Sequence, residues 1–99
     1  MPEFMLKKTD LPPGSGKVVL VGTREVAVFC VDGEFHALLN ECPHVGGPLG
    51  EGRVEGSTVV CPWHAWAFDV RTGECAGRDR PATRVTTTDA GDWLRIEVA

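Results

Sequence analysis

The stretch "REVAVFCVDGEFHALL", residues 24–39, sets two apolar runs on either side of Asp32-Gly33. The first run, 24–31, is β-branched and apolar almost without interruption, the pattern of a strand buried on both faces. Asp-Gly suits a type I′ turn, whose two central residues both need positive φ. "EFHALLN" (34–40) then returns as the antiparallel partner. Upstream, "GKVVLVG" (16–22) has the same composition and reads the same way. Near the C-terminus, "RVTTT" (84–88) and "WLRIEVA" (93–99) flank the turn-like "DAGD". In the last run Leu94, Ile96 and Val98 alternate with Trp93, Arg95 and Glu97, one face inward and one outward. No window keeps apolar residues at helical spacing for three turns. The predicted fold class is therefore all-β, built of antiparallel hairpins.

Ninety-nine residues suffice for one domain with a modest core. The formal charge of −4 argues against a nucleic-acid partner, which wants a basic face, and against an anionic membrane surface. No apolar run approaches the ~18 residues of a membrane span, and no secretory leader is visible, so the expected location is cytoplasmic. Four cysteines in that compartment point to ligands or buried thiols before disulfides. "MPEFM" offers a second methionine at Met5; residues 1–4 read as vector-derived, leaving 5–99 as the domain.

Between the two β-rich ends lies a glycine- and proline-rich middle, about 41–81, which reads as an insertion carrying the chemistry. It holds "STVVC" (57–61), "AWAFDV" (65–70) and the turn "RTGE". It also holds two Cys/His pairs, in "ECPHVGGPLG" (41–50) and "CPWH" (61–64), with sixteen residues between His44 and Cys61. One such pair is weak evidence. Two of them, Cys42 with His44 and Cys61 with His64, are a strong metal signal. A zinc finger usually puts two cysteines on one limb and two histidines on the other. Here each limb mixes the two, which suits a two-iron cluster better. Gly46, Gly47 and Gly50 are then expected to let backbone amides approach and point at sulfur.

The pattern C-x-H, sixteen residues, C-x-x-H resembles the Rieske iron–sulfur signature. The likeness extends through "DLPPG", "VDGEFHAL", "GGPLGEG" and "CPWHAWAFDVRTGE". It implies the Rieske fold, antiparallel sheets stacked as a sandwich or barrel, with two cluster-binding loops at one tip. It also implies one [2Fe–2S] cluster, Cys42 and Cys61 on one iron, His44 and His64 on the other. High-potential members in cytochrome bc complexes add a disulfide between the two loops. This chain has Gly47 and Trp63 at those places. Such members also hydrogen-bond the cluster through a serine and a tyrosine; here Trp66 and Phe68 stand instead, and the chain has no tyrosine. Fewer donors lower the potential, so the resemblance implies the low end of a range of about −150 to +300 mV.

Rieske oxygenases add a large domain with a mononuclear iron; only eighteen residues follow residue 81, and His36 is the one unassigned histidine. The expectation is an electron carrier and not an enzyme. It resembles a soluble ferredoxin passing single electrons from a flavin-dependent reductase to a terminal, aromatic-ring-hydroxylating oxygenase. The runner-up is the small subunit of NAD(P)H-dependent nitrite reductase, with that enzyme's large subunit as partner. A structural zinc module is third. Residues 42–50 and 61–68 carry no charged side chain besides histidine, which suits an apolar docking tip. Trp63 and Val45 are the docking candidates, while Trp66 and Phe68 are expected to pack beneath the cluster. Cys30 reads as a small buried hydrophobe, Cys75 as a thiol without a role, and His36 as a surface residue. Asp69 is expected to fix the turn after it. Pro81 corresponds loosely to a segment that covers the cluster in related proteins.

Overall fold

The computed structural model describes residues 2–40, 48–63, 66–75 and 81–98. Nine strands occur there: β1 Glu3–Lys7, β2 Ser15–Val21, β3 Arg24–Val31, β4 Glu34–Leu39, β5 Arg53–Glu55, β6 Thr58–Val60, β7 Ala67–Asp69, β8 Arg84–Ala90 and β9 Trp93–Glu97. The only helical pieces among the described residues are two 3-10 turns, Lys8–Asp10 and Leu49–Glu51. A six-stranded sheet runs β1-β9-β8-β4-β3-β2, and a three-stranded sheet runs β5-β6-β7. All pairings are antiparallel. The all-β reading of the sequence holds.

The Asp32-Gly33 turn has φ of 52° and 81°, both positive as type I′ requires. The strand leading into it, β3, organises the interior. Val26, Val28 and Cys30 face one core, with Leu6, Val21, Leu94 and Ile96. Ala27, Phe29 and Val31 face the other, with Leu38 of β4 and, from the segment holding the small sheet, Leu49, Val59, Cys61, Phe68, Val70 and Cys75. Two interiors therefore meet along a single strand whose alternation supplies both. The second interior fastens the small sheet to the large one.

Two expectations need correction. β2 is an edge strand and not buried on both faces: Leu20 is 60% exposed. Its composition is as apolar as that of β3, but only one neighbour covers it. His36 is not a plain surface residue. Its Nε2 is buried without a hydrogen-bond partner, 3.5 Å from Glu34 Oε1. It lies on the same side of β4 as Leu38, toward the small sheet. The N-terminal residues also take part in the fold. Glu3 and Phe4 pair with Glu97 and Ile96, and Phe4 packs on the core of Leu6 and Ile96.

Candidate metal centre

Of the four expected ligands, Cys61 lies among the described residues; Cys42, His44 and His64 lie outside them, as do Val45, Gly46 and Gly47. Cys61 follows β6 directly and is 1% exposed. Its placement has a local cause. The central strand of the small sheet delivers its side chain into the apolar layer that also holds Leu49, Phe68 and Cys75. Its backbone N–H donates to the Trp66 carbonyl at 2.8 Å, which brings the two ends of the CPWHAW segment together. Trp66 is partly buried against the same layer, its ring centroid 6.4 Å from that of the fully buried Phe68. These two residues pack together in that layer. Trp63 stands out of the surface at 63% exposed.

The first loop is closed in a comparable way. The Leu49 N–H donates to the Asn40 carbonyl at 2.8 Å, and the Gly50 N–H to Asn40 Oδ1 at 2.7 Å. Gly50 therefore does not aim its amide at sulfur, contrary to expectation. Its glycine has a packing cause: a Cβ there would stand 2.3 Å from Val18 Cγ2 and 3.0 Å from Asn40 Oδ1. Asn40 is the functional candidate the sequence reading missed. Its position at the end of an apolar strand, two residues before a cysteine, was the available signal.

Behind β7 a tight turn fixes the chain's return. Asp69 Oδ1 accepts from the Arg71 N–H at 2.8 Å, and the Asp69 carbonyl from Gly73 at 2.7 Å. Asp69 is a turn residue, as its position predicted. Gly73, at φ 82°, accepts in turn from the Ala82 N–H at 2.7 Å. Pro81 is exposed beside it, and the rest of "GRDR" lies outside the described residues. Cys30 is buried in the core of Val26 and Ile96, and Cys75 in the other core. Cys30 is a free thiol whose side chain enters a different core from that of Cys75, so no bridge joins the pair. Among the described residues no three His, Cys, Asp or Glu side chains gather as a metal site. Nor is any helix there long and apolar enough to cross a membrane.

Comparison with known proteins gives this geometry a context. The family model for the Rieske [2Fe–2S] domain matches residues 2–89. Apoptosis-inducing factor 3 of Mus musculus is 42% identical over 65 residues, 66% of this chain and 11% of that protein. The biphenyl dioxygenase ferredoxin subunit of Pseudomonas sp. (strain KKS102) is 41% identical over 66 residues, 66% of this chain and 61% of that protein. The chain thus spans less than two thirds of the length of these curated relatives. Among solved structures, a chain from the complex of reduced oxygenase and oxidized ferredoxin in carbazole 1,9a-dioxygenase is 30% identical, with a TM-score of 0.83. That match covers 93% of this chain and 91% of the other. A putative NADH-dependent nitrite reductase small subunit from Mycobacterium tuberculosis is 25% identical, with a TM-score of 0.86. There the coverage is 98% and 96%.

Proposed function

This chain belongs to the Rieske [2Fe–2S] domain family, whose cofactor is the [2Fe–2S] cluster, and from that premise we propose that it works as a one-electron carrier. When bound, such a cluster takes up and returns a single electron. Cys42 and Cys61 would hold one iron as thiolates, and His44 and His64 the other. The described residues fit this group. Cys61 is sealed from water at 1% exposure, which protects a thiolate ligand from exchange. Each loop is drawn together at its root by a backbone hydrogen bond, Leu49 to Asn40 and Cys61 to Trp66. Trp63 offers an exposed apolar side chain beside the expected ligand His64, suited to brief docking. The family match leaves the zinc-module reading without support.

The electron's source is proposed to be a flavin-dependent reductase, and its destination a terminal oxygenase of the aromatic-ring-hydroxylating kind. The observation that carries this is the 41% identity to a biphenyl dioxygenase ferredoxin subunit. The structural match with a chain from an oxygenase–ferredoxin complex supports it. A second reading, small subunit of a nitrite reductase, is favoured by the 98% coverage of the Mycobacterium tuberculosis neighbour. Under either reading the carrier is proposed to be cytoplasmic.

The test is chemical and then kinetic. Purified protein should be red-brown, contain iron and acid-labile sulfide, and give an electron paramagnetic resonance signal when reduced. Cys61→Ser should lose the colour. The reduced protein should then be reoxidised rapidly by a terminal oxygenase in stopped-flow mixing. Stable co-purification with a sirohaem subunit, and no transfer to oxygenase, would decide for the nitrite reductase reading.

A further inference from the structure

Asn40 is the one polar or charged residue buried as a whole among the described residues, 4% exposed. Each of its four polar atoms is engaged. Its backbone N–H donates to the Glu25 carbonyl at 3.0 Å, and Nδ2 reaches Glu25 Oε1 at 3.3 Å. Its carbonyl and Oδ1 accept from two successive amides, Leu49 and Gly50. Those amides open the 3-10 turn Leu49–Glu51, where the first N–H groups have no partner inside the turn. Pro48, the residue ahead of them, has no side-chain acceptor to offer. Asn40 supplies both acceptors from the far end of the segment 41–48. The site is also closed to variation from the other side, since Gly50 has no room for a Cβ against Val18 and Asn40.

We infer that Asn40 is the positioning residue of the first ligand loop, holding its entry and exit together and so governing how firmly the cluster is kept and at what potential. The inference rests on the reading of Cys42 and His44 as ligands. Its physical basis is the asymmetry of buried hydrogen bonds: a donor stranded from both water and acceptor costs more than the bond gains over water. If the exit of the segment shifts from its entry, two neighbouring amides lose their acceptors together. Asn40 thus ties both amides at the root of the loop expected to carry half the ligands, Leu49 through its carbonyl and Gly50 through its side chain. Glu25 turns the amide so that Oδ1, and not Nδ2, faces Gly50.

Holoprotein variants test this. Asn40→Leu removes Oδ1 and should bleach about ten-fold faster under an iron chelator, as loss of outer-shell partners commonly does. Its midpoint potential and electron paramagnetic resonance g-values should move, while far-UV circular dichroism stays that of wild type. Asn40→Asp keeps an oxygen for Gly50 but sets a carboxylate against Glu25, so it should bleach faster than wild type. Adding Glu25→Gln restores a donor–acceptor pair and should recover much of the loss. Wild-type bleaching, potential and g-values in Asn40→Leu would overturn the inference. If Asn40→Leu does not fold, equal bleaching of Asn40→Asp and Asn40→Asp/Glu25→Gln would overturn it as well. A wild-type protein lacking iron and sulfide would overturn the ligand reading, and this inference with it.

Discussion

The Cys61 amide and the Trp66 carbonyl meet at 2.8 Å, so the first residue of the second motif and the residue leading into β7 are joined beside the small sheet. Trp66 thereby serves the second loop through its backbone while its ring covers the apolar layer beneath. The double variant Trp66→Ser/Phe68→Tyr puts hydroxyl donors at the positions where high-potential relatives have them. Its midpoint potential should rise, on the order of tens of millivolts, because donors favour the more negative reduced state. Protein-film voltammetry on the intact double variant checks this; an unchanged or lower value rejects it.

Trp63 is exposed and neighbours the expected ligand His64, so its contribution should be to encounter and not to the cluster. Trp63→Ala should slow electron transfer to the oxygenase about ten-fold, the scale of losing an aromatic anchor at an interface. The potential should stay the same. A stopped-flow rate equal to wild type would place docking elsewhere.

Gly50 is glycine because Val18 Cγ2 occupies the place of a Cβ. Gly50→Ala should destabilise the holoprotein by about 1–3 kcal/mol, the usual cost of forcing a methyl into a filled site. Val18→Ala makes room, so the double variant should lose less than the sum of the two singles. Chemical denaturation of all three variants measures the coupling.

Cys30 is 2% exposed among valines, with no role in the proposed centre. Cys30→Ala should leave the visible spectrum unchanged. Cys30→Ser buries a hydroxyl there and should cost about 1–3 kcal/mol. A loss of chromophore in Cys30→Ala would contradict the assignment of this thiol to packing.

Lys8 ties the end of β1 to β8. Its Nζ lies 2.5 Å from Asp89 Oδ1. That hydrogen bond, with a second from the Gly91 N–H and the charge of Lys8, holds the Asp89 carboxyl below its ordinary value of 3.8. A carboxyl depressed in the folded state stabilises the fold above its unfolded value, and this contribution fades as pH falls through the folded one. Asp89→Asn should therefore melt slightly lower than wild type at neutral pH. The gap should close on acidification below the ordinary carboxylate range. Because the pair is exposed, the effect should also shrink in high salt. Calorimetry over a pH series follows both trends.

The sequence by itself determined what repeats locally or stands at fixed spacing. Strand β3 and its Asp32-Gly33 turn were legible residue by residue, because alternation and positive φ are properties of neighbours along the chain. The Cys/His spacing was legible for the same reason, and with it the family. The tertiary structure decided what depends on segments far apart. β2 and β3 have similar compositions, yet only β3 has a strand on each side and a core on each face. Gly50 owes its identity to Val18, thirty-two positions away. Asn40 looks like an ordinary polar residue ending a strand until Leu49 and Gly50 come back to it. His36, read as a surface residue, has its Nε2 buried on the side of β4 that it shares with Leu38, opposite Phe29 of β3. Side-chain burial and hydrogen-bond satisfaction are set by which surfaces meet, and the order of residues along the chain does not contain that until the chain has closed.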